Sequence, residues 1–271
     1  MKQIFFFLLL CLTNNAVFAA TDNVLLFGVN EGTSGSADFL ERQEKYRGLT
    51  DYLSTALKKQ VRLESASDLK SLTTNLQNAR YDLLLVRPSH ISAKAMRDNK
   101  YTLVASAKGD AYTYFIVHKD SPLKKSGDIH GKRIAMPDRL AYPASVGLAM
   151  LRDFGMNPEK ENIQYFRSQE AVGYAVQQKL IDVGVVISYS KVAKEWKSSG
   201  NSILIESKKL PFWSIIASPK MSPENIALVR TALIKMNDSA EGEKIMKNVG
   251  INGFVPGSQA DYIGLLDWLK E

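Results

Sequence analysis

Charged side chains follow two apolar runs that have the length of buried strands, and these residues are the first candidates for chemistry. Arg87 follows the run 83–86, and Glu31 comes shortly after the run 24–29. A guanidinium can bind a carboxylate or a phosphate through two parallel hydrogen bonds. Arg87 could equally form a structural ion pair with Glu31, and a cleft lined by both charges would suit a zwitterion. The sequence leaves these alternatives open.

Further polar and aromatic candidates lie after predicted strands or at the starts of the helices that follow them. Ser89 and His90 open a helix, so they either cap it or contact a ligand. Tyr112 and Tyr114 share one face of a predicted strand, because alternate residues of a strand point the same way. These tyrosines could pack within the fold, or one of them could stack on a ligand in the cleft. For Trp213, packing is the favoured interpretation.

Signals for catalysis are weak. The histidines, at 90, 118 and 130, have no zinc-protease spacing. The glycine-rich stretch 32–35 lacks the lysine of a P-loop, and the serine-x-x-lysine match at 188–191 has no companion Lys-Thr-Gly. We therefore expect no enzyme activity, no catalytic residues, no metal and no cofactor. The basic pairs 124–125 and 132–133 lack interleaved aromatic residues, which argues against nucleic acid as a partner.

The first 20 residues have the pattern of a secretory signal. Lys2 precedes an apolar run at 4–12, and Val17, Phe18 and Ala19 form a cleavage pattern. The run is much shorter than the roughly 18 residues of a membrane-spanning helix. Cleavage after residue 19 would remove Cys11, the one cysteine, and would leave 34 basic against 28 acidic residues. We expect a secreted chain held together by packing alone, with a mild preference for anions.

The elements that must position these candidates alternate between strand and helix. The predicted strands are 24–29, 61–63, 83–86, 101–107, 112–117, 133–136, 163–166, 183–187, 203–205 and 212–217. The predicted helices are 40–57, 68–78, 88–96, 144–154, 170–179, 188–197, 223–236, 240–248 and 259–269. Such alternation is typical of mostly parallel sheets with helices on their faces.

No proline-rich or serine-rich linker divides the chain, so it is predicted to cross between two α/β lobes near 108–112 and again near 206–212. Residues 20–110 and 208–271 would form lobe I, and residues 111–207 would form lobe II. In open α/β sheets, ligands bind outside the carboxyl ends of the strands. The site is therefore predicted between the lobes, at 30–36, 87–90, 137–145, 168–170 and 188–189.

Six stretches, in their order along the chain, resemble one known family. They are FGVNE (27–31), YRGLTDYLS (46–54), YDLLLVRPSHISAKA (81–95), YTYFIVHKDSPLKKSGDIHGKRIAMPD (112–138), the turn at 155–158 and AVQQKLIDVGVV (175–186). Together they resemble the type II periplasmic solute-binding proteins, and within these the phosphate, phosphite and phosphonate-binding family of ABC transporters. The resemblance implies a two-lobed α/β protein of the periplasm with two hinge crossings. It would close on a small anionic or zwitterionic ligand, phosphonate-like or phosphate-like, and deliver it to an inner-membrane ABC permease.

The sequence departs from this family where the ligand should bind. A Ser-Thr-Ser-Gly turn is replaced by residues 138–143, so that Arg139 and Tyr142 become candidate contacts, with Ser145 close by. A solvated loop is the alternative interpretation for Arg139 and Tyr142. A histidine of the next loop is replaced around Gln169. The ligand thus stays open, as does the output: a monomeric transport receptor, a sensor for a membrane histidine kinase or chemoreceptor, or an enzyme on the same fold.

Overall fold

The computed structural model describes residues 24–34, 38–66 and 68–271. The predicted signal peptide, with Cys11, and part of the loop at 30–36 lie outside the described residues. The strands are β1 Val24–Asn30, β2 Gln60–Ser65, β3 Leu83–Val86, β4 Thr102–Ala107, β5 Thr113–Val117, β6 Arg133–Pro137, β7 Asn162–Phe166, β8 Val183–Ile187, β9 Ser202–Glu206, β10 Ser214–Ala217 and β11 Phe254–Val255. The helices are α1 Phe39–Leu57, α2 Leu69–Gln77, α3 Ser89–Asp98, α4 Tyr142–Asp153, α5 Gln169–Gln177, α6 Lys191–Trp196, α7 Pro223–Lys235, α8 Ala240–Val249 and α9 Gln259–Leu269.

Helix starts follow local capping chemistry. The side chains of Asp68, Ser168 and Ser222 accept backbone N–H groups of the first turn, as their positions in the sequence predict. The prediction for α6 was wrong at its start. Ser188 accepts the N–H of Tyr112, and Ser190 provides the cap, so the helix begins at residue 191. The prediction also missed β11, because two residues are too few to show an alternating pattern.

Two β-sheets form the centres of the two lobes. The first sheet has the order β11-β4-β10-β3-β1-β2, and the second has the order β7-β6-β8-β5-β9. We call the first sheet with its helices lobe I and the second with its helices lobe II. In each sheet, the first strand after a crossing between sheets is antiparallel to both of its neighbours: β10 lies between β3 and β4, and β5 between β8 and β9. Strands β1 to β4 of the first sheet share one direction, and so do strands β6 to β9 of the second sheet. Most strands of each sheet are therefore parallel to one another, as predicted.

The two crossing segments lie side by side. They connect β4 to β5 and β9 to β10, and an isolated antiparallel bridge joins Ala111 to Leu210. The N–H of Leu210 donates to the carbonyl oxygen of Ala111 at 2.9 Å. A pair of hydrogen-bonded segments of this kind is suited to hinge motion of two lobes. The boundaries proposed above, at 110 and 207, stay a prediction.

Helix α9 packs on both lobes. Tyr262 and Leu266 belong to one of the apolar clusters of lobe I, and Leu265 and Leu269 belong to the main cluster of lobe II. The sequence assigned this helix to lobe I alone. None of the helices in the described part of the chain has the length and apolar character needed to span a membrane.

Candidate functional site

The site begins where β1 and β3 end, side by side in lobe I. Glu31 follows β1 and Arg87 follows β3. Nη2 of Arg87 lies 2.6 Å from Oε1 of Glu31, and the two side chains are only 8% and 3% exposed. The ion pair that the sequence left as an alternative is therefore present.

Helix α1 adds two more cations to this carboxylate. Arg42, Lys45 and Tyr46 are three and four residues apart, so they lie on one face of the helix. Lys45 Nζ lies 2.6 Å from Oε1 of Glu31, and the hydroxyl of Tyr46 donates to the same oxygen at 2.8 Å. Arg42 Nε lies 3.9 Å from Oε2. Ion pairs among the described residues thus join one carboxylate to three cations, which leaves an excess of positive charge.

The protonation states in this group follow from burial and from charge. Burial raises the pKa of Glu31, but the charge of Arg87 and the contacts with Lys45 and Tyr46 outweigh it, so the pKa lies below its usual value. Burial and the Glu31 carboxylate together raise the pKa of Tyr46, against the opposing charge of Arg87. At neutral pH, Glu31 is therefore a carboxylate and Tyr46 a neutral hydrogen-bond donor.

Aromatic side chains enclose Arg87 and connect it to lobe II. The guanidinium carbon of Arg87 lies 4.2 Å from the ring centroid of Trp213, and Tyr189 packs edge-on against Trp213 at 5.3 Å. The hydroxyl of Tyr189, which follows β8, donates to the carbonyl oxygen of Arg87 at 3.4 Å. We call this group the Arg87 cluster; its members are Glu31, Arg42, Lys45, Tyr46, Arg87, Tyr189 and Trp213.

Two buried donors of the Arg87 cluster are unsatisfied. Nε of Arg87 and Nε1 of Trp213 have no hydrogen-bond partner among the described residues. An unsatisfied buried donor costs about 1 to 3 kcal/mol. A ligand with acceptor oxygens would remove this cost, and its negative charge would match the excess of cations.

Gln169 connects the lobes beside this cluster. At the start of α5, its Oε1 accepts the N–H of Ile187, and its Nε2 donates to Oγ1 of Thr33 in lobe I at 3.2 Å. One amide thus fixes its own orientation within lobe II and reaches across to the loop after β1.

A second carboxylate, that of the half-buried Glu271, lies on another side of the contact between the lobes. Its Oε1 accepts the hydroxyl of Ser145 in lobe II at 2.5 Å, and its Oε2 lies 2.7 Å from Nζ of Lys94 in α3. Nearby, Nε2 of His90 donates to the carbonyl oxygen of Leu140 at 3.2 Å. The members of this Glu271 cluster are His90, Lys94, Tyr142, Ser145 and Glu271.

His90 is neutral in this environment. Burial lowers its pKa to about 4, although Glu271 opposes the shift. The ring stacks on Tyr142 of lobe II at 5.2 Å between centroids. A cavity of about 190 Å³ lies next to the Glu271 cluster, between α2, α3 and the turn before α4.

The predicted site residues thus fall into two groups and several separate positions. Glu31 and Arg87 meet in one group, and His90, Tyr142 and Ser145 meet in the other. Arg139 lines the cavity, and its guanidinium carbon is 5.9 Å from the ring of Tyr165. The hydroxyl of Ser89 donates to the carbonyl oxygens of residues 211 and 212, which anchors α3 to the second crossing.

Tyr112, directly before β5, and Tyr114, within β5, are half-buried. Tyr114 packs against the lobe II cluster that contains Ile116 and Val172, which agrees with the packing alternative.

Sequence reasoning missed three members of the Arg87 cluster, Arg42, Lys45 and Tyr46. The spacing of these three on α1 was the available signal, but it did not reveal that this face would meet Glu31. Tyr189 lay within a stretch that the strand-end rule selected. Among the described residues, no group of His, Cys, Asp and Glu is arranged to hold a metal ion.

Comparison with known proteins identifies one matching family model. The model described as ABC transporter, phosphonate, periplasmic substrate-binding protein matches residues 38–262. Among solved structures, XAC2383 from Xanthomonas citri bound to ATP aligns with a TM-score of 0.77 at 16% identity, over 92% of this chain and 97% of that chain. PhnD1 from Prochlorococcus marinus in complex with methylphosphonate aligns with a TM-score of 0.74 at 11% identity, over 92% and 98%.

The periplasmic aliphatic sulphonate binding protein SsuA from Escherichia coli aligns less closely, with a TM-score of 0.60 at 13% identity, over 90% of this chain and 83% of that chain. At these identities the likeness shows the fold, which is that of two-lobed periplasmic binding proteins, as predicted.

Proposed function

The chain belongs to the family of phosphonate periplasmic substrate-binding proteins of ABC transporters, and from that membership we propose that it captures a small anion at the Arg87 cluster. Proteins of this family bind a small molecule and work with an ABC permease. We propose that this chain acts in the periplasm after cleavage of residues 1–19, as a monomer, and without catalysis. Delivery to a permease is favoured over signalling to a sensor, because the family description names a transporter.

The observation that carries this proposal is the buried excess of positive charge between the lobes. Three cations face one carboxylate, and beside them Nε of Arg87 and Nε1 of Trp213 have no hydrogen-bond partner in the part of the chain that the structure describes. A phosphonate or phosphate group supplies both the negative charge and the acceptor oxygens, and charge-assisted hydrogen bonds are the strong ones. The Prochlorococcus and Xanthomonas relatives, whose structures contain methylphosphonate, ATP or chloride, support an anionic ligand.

Closure of the lobes would couple this binding to transport. Arg87 belongs to lobe I, whereas Tyr189 and Gln169 belong to lobe II and reach across to it. A ligand that contacts both sides stabilises the closed state by its difference in affinity for the closed and open states. Rotation about the paired crossing segments would provide the motion.

The test is a thermal-shift screen of the mature chain with phosphate, methylphosphonate, methanesulfonate, acetate and glycine. A ligand at 100 times its dissociation constant should stabilise the fold by about 2.7 kcal/mol. X-ray scattering should show a smaller radius of gyration with the most strongly stabilising ligand than without it. NMR spectra of that ligand after incubation with the protein should show no chemical change. Absence of stabilisation by every anion, or an unchanged radius at saturation, would contradict the proposal.

A further inference from the structure

The carboxylate of Glu31 determines which anions fit the Arg87 cluster. An acid in a binding site can either contact a cationic group of the ligand or serve as a fixed counter-ion for cations of the protein itself. The two roles select different ligands, because the first suits a zwitterion and the second an anion without a cationic group.

The contacts of Glu31 favour the second role. Its Oε1 is within 2.8 Å of three donors, Nη2 of Arg87, Nζ of Lys45 and the hydroxyl of Tyr46. Its Oε2 faces Arg42, and only 3% of the side chain is exposed. The carboxylate is therefore already engaged by groups of the protein.

The surrounding charges also oppose a cationic ligand group. An ammonium group that approached Glu31 would come close to Arg42, Lys45 and Arg87 at the same time. These side chains are 5%, 26% and 8% exposed, so solvent screens the repulsion poorly. Replacement of one of the protein's cations by the ligand's ammonium would in turn leave that cation buried without its partner.

We infer that Glu31 is a fixed counter-ion and that the site selects small anions without an ammonium group, an inference that rests on the proposed function. Alkylphosphonates, phosphate and alkylsulfonates belong to this class. Aminoalkylphosphonates and amino acids lie outside it. The role of Glu31 in binding is then indirect: it holds the fork of Arg87 in place and sets the net charge that the ligand meets.

The decisive comparison uses two ligands of the same size. Propylphosphonate and 2-aminoethylphosphonate have equal numbers of non-hydrogen atoms and differ in the ammonium group. Isothermal titration at pH 7 should show that the aminated ligand binds at least about tenfold more weakly, since like charges brought together in a buried site are costly. Equal or tighter binding of 2-aminoethylphosphonate would overturn the inference and leave the proposed function intact. Failure of every anion probe to bind would overturn both.

A variant of one cation tests the cause of the discrimination. Lys45→Gln lowers the net charge around Glu31, so propylphosphonate should bind several-fold more weakly and the ratio between the two ligands should narrow. Arg47→Gln is the matched control, because Arg47 lies on the same helix in an exposed ion pair with Glu44. A ratio that is unchanged in Lys45→Gln, or changed equally in Arg47→Gln, would contradict the assignment.

Discussion

Glu31 is buried and Glu271 is half-buried where the lobes meet. Burial raises the pKa of both carboxyl groups, but other contacts outweigh it, so that both pKa values lie below the usual one. At Glu31 these contacts are with Arg87, Lys45 and Tyr46, and at Glu271 they are with His90, Lys94 and Ser145. Their surroundings differ in charge. Glu31 meets Arg42, Lys45 and Arg87, whereas within the described part of the chain the ion pair of Glu271 is with Lys94 alone.

Their partners also differ in where they come from. The cations around Glu31 all belong to lobe I. Glu271 instead accepts the hydroxyl of Ser145 from lobe II and lies near the neutral ring of His90. The comparison teaches that a carboxylate where the lobes meet has no single role. The excess of cations around Glu31 supports the anion site proposed above, whereas Glu271, paired with Lys94, accepts the hydroxyl of Ser145 and so joins two parts of the fold.

The largest expected effect concerns pH at the Glu271 cluster. His90 has a pKa of about 4 in the folded protein against 6.5 for an unperturbed histidine. As the pH falls, His90 of the unfolded chain therefore takes up a proton before His90 of the folded protein does. The free energy of unfolding is thus at its full value above pH 6.5 and decreases as the pH drops toward 4. The loss should reach about 3 kcal/mol at pH 4.

Urea unfolding at several pH values would measure this effect. His90→Gln should remove the extra loss between pH 6.5 and 4, whereas His130→Gln, at a histidine whose side chain is 74% exposed, should not. If the free energy of unfolding depends on pH in the same way for wild type and for His90→Gln, the buried ring does not cause the pH dependence.

Substitutions in the Arg87 cluster and in the Glu271 cluster should differ in their effect on ligand affinity. Arg87→Lys keeps the charge but loses the planar fork and the stacking on Trp213. Methylphosphonate affinity should fall about 30-fold, or about 2 kcal/mol, the usual contribution of a hydrogen bond to a charged group. Glu271→Gln should change the affinity less than about threefold, since neutralising a side chain that contacts no ligand removes no such bond. If titration calorimetry showed similar losses of methylphosphonate affinity in Arg87→Lys and Glu271→Gln, the two clusters would not have separate roles in binding.

The smallest effect is the coupling between Ser145 and Glu271. A double-mutant cycle of Ser145→Ala and Glu271→Gln should give a coupling energy of about 1 kcal/mol in urea unfolding, because the hydroxyl donates to a carboxylate that is only partly exposed. Ser198→Ala, whose hydroxyl donates to a carbonyl oxygen in its own turn, should give no coupling with Glu271→Gln. A coupling energy near zero in the first cycle would show that the hydrogen bond between Ser145 and Glu271 does not stabilise the contact between the lobes.

Local features of the fold could be predicted from the sequence. The bounds of β3, β8 and α9 agree with the prediction, and Asp68, Ser168 and Ser222 cap the helices that follow them. Apolar runs, helical spacing and capping act within a few residues. The order of elements together with the family resemblance was sufficient for the two-lobed fold class.

The sequence by itself determined most of the elements and the edge of each sheet at which polar side chains gather. That put Arg87 and Glu31 at the same edge but left their ion pair as one of several alternatives. Only the tertiary structure decided that a face of α1 would bring Arg42 and Lys45 to Glu31, that α9 would pack on both lobes, and that Glu271 would meet Ser145. Ser145 and Glu271 are 126 positions apart, and even Lys45 and Glu31, 14 positions apart, lie within α1 and after β1. These contacts depend on how complete elements pack against one another, and no local pattern records that packing.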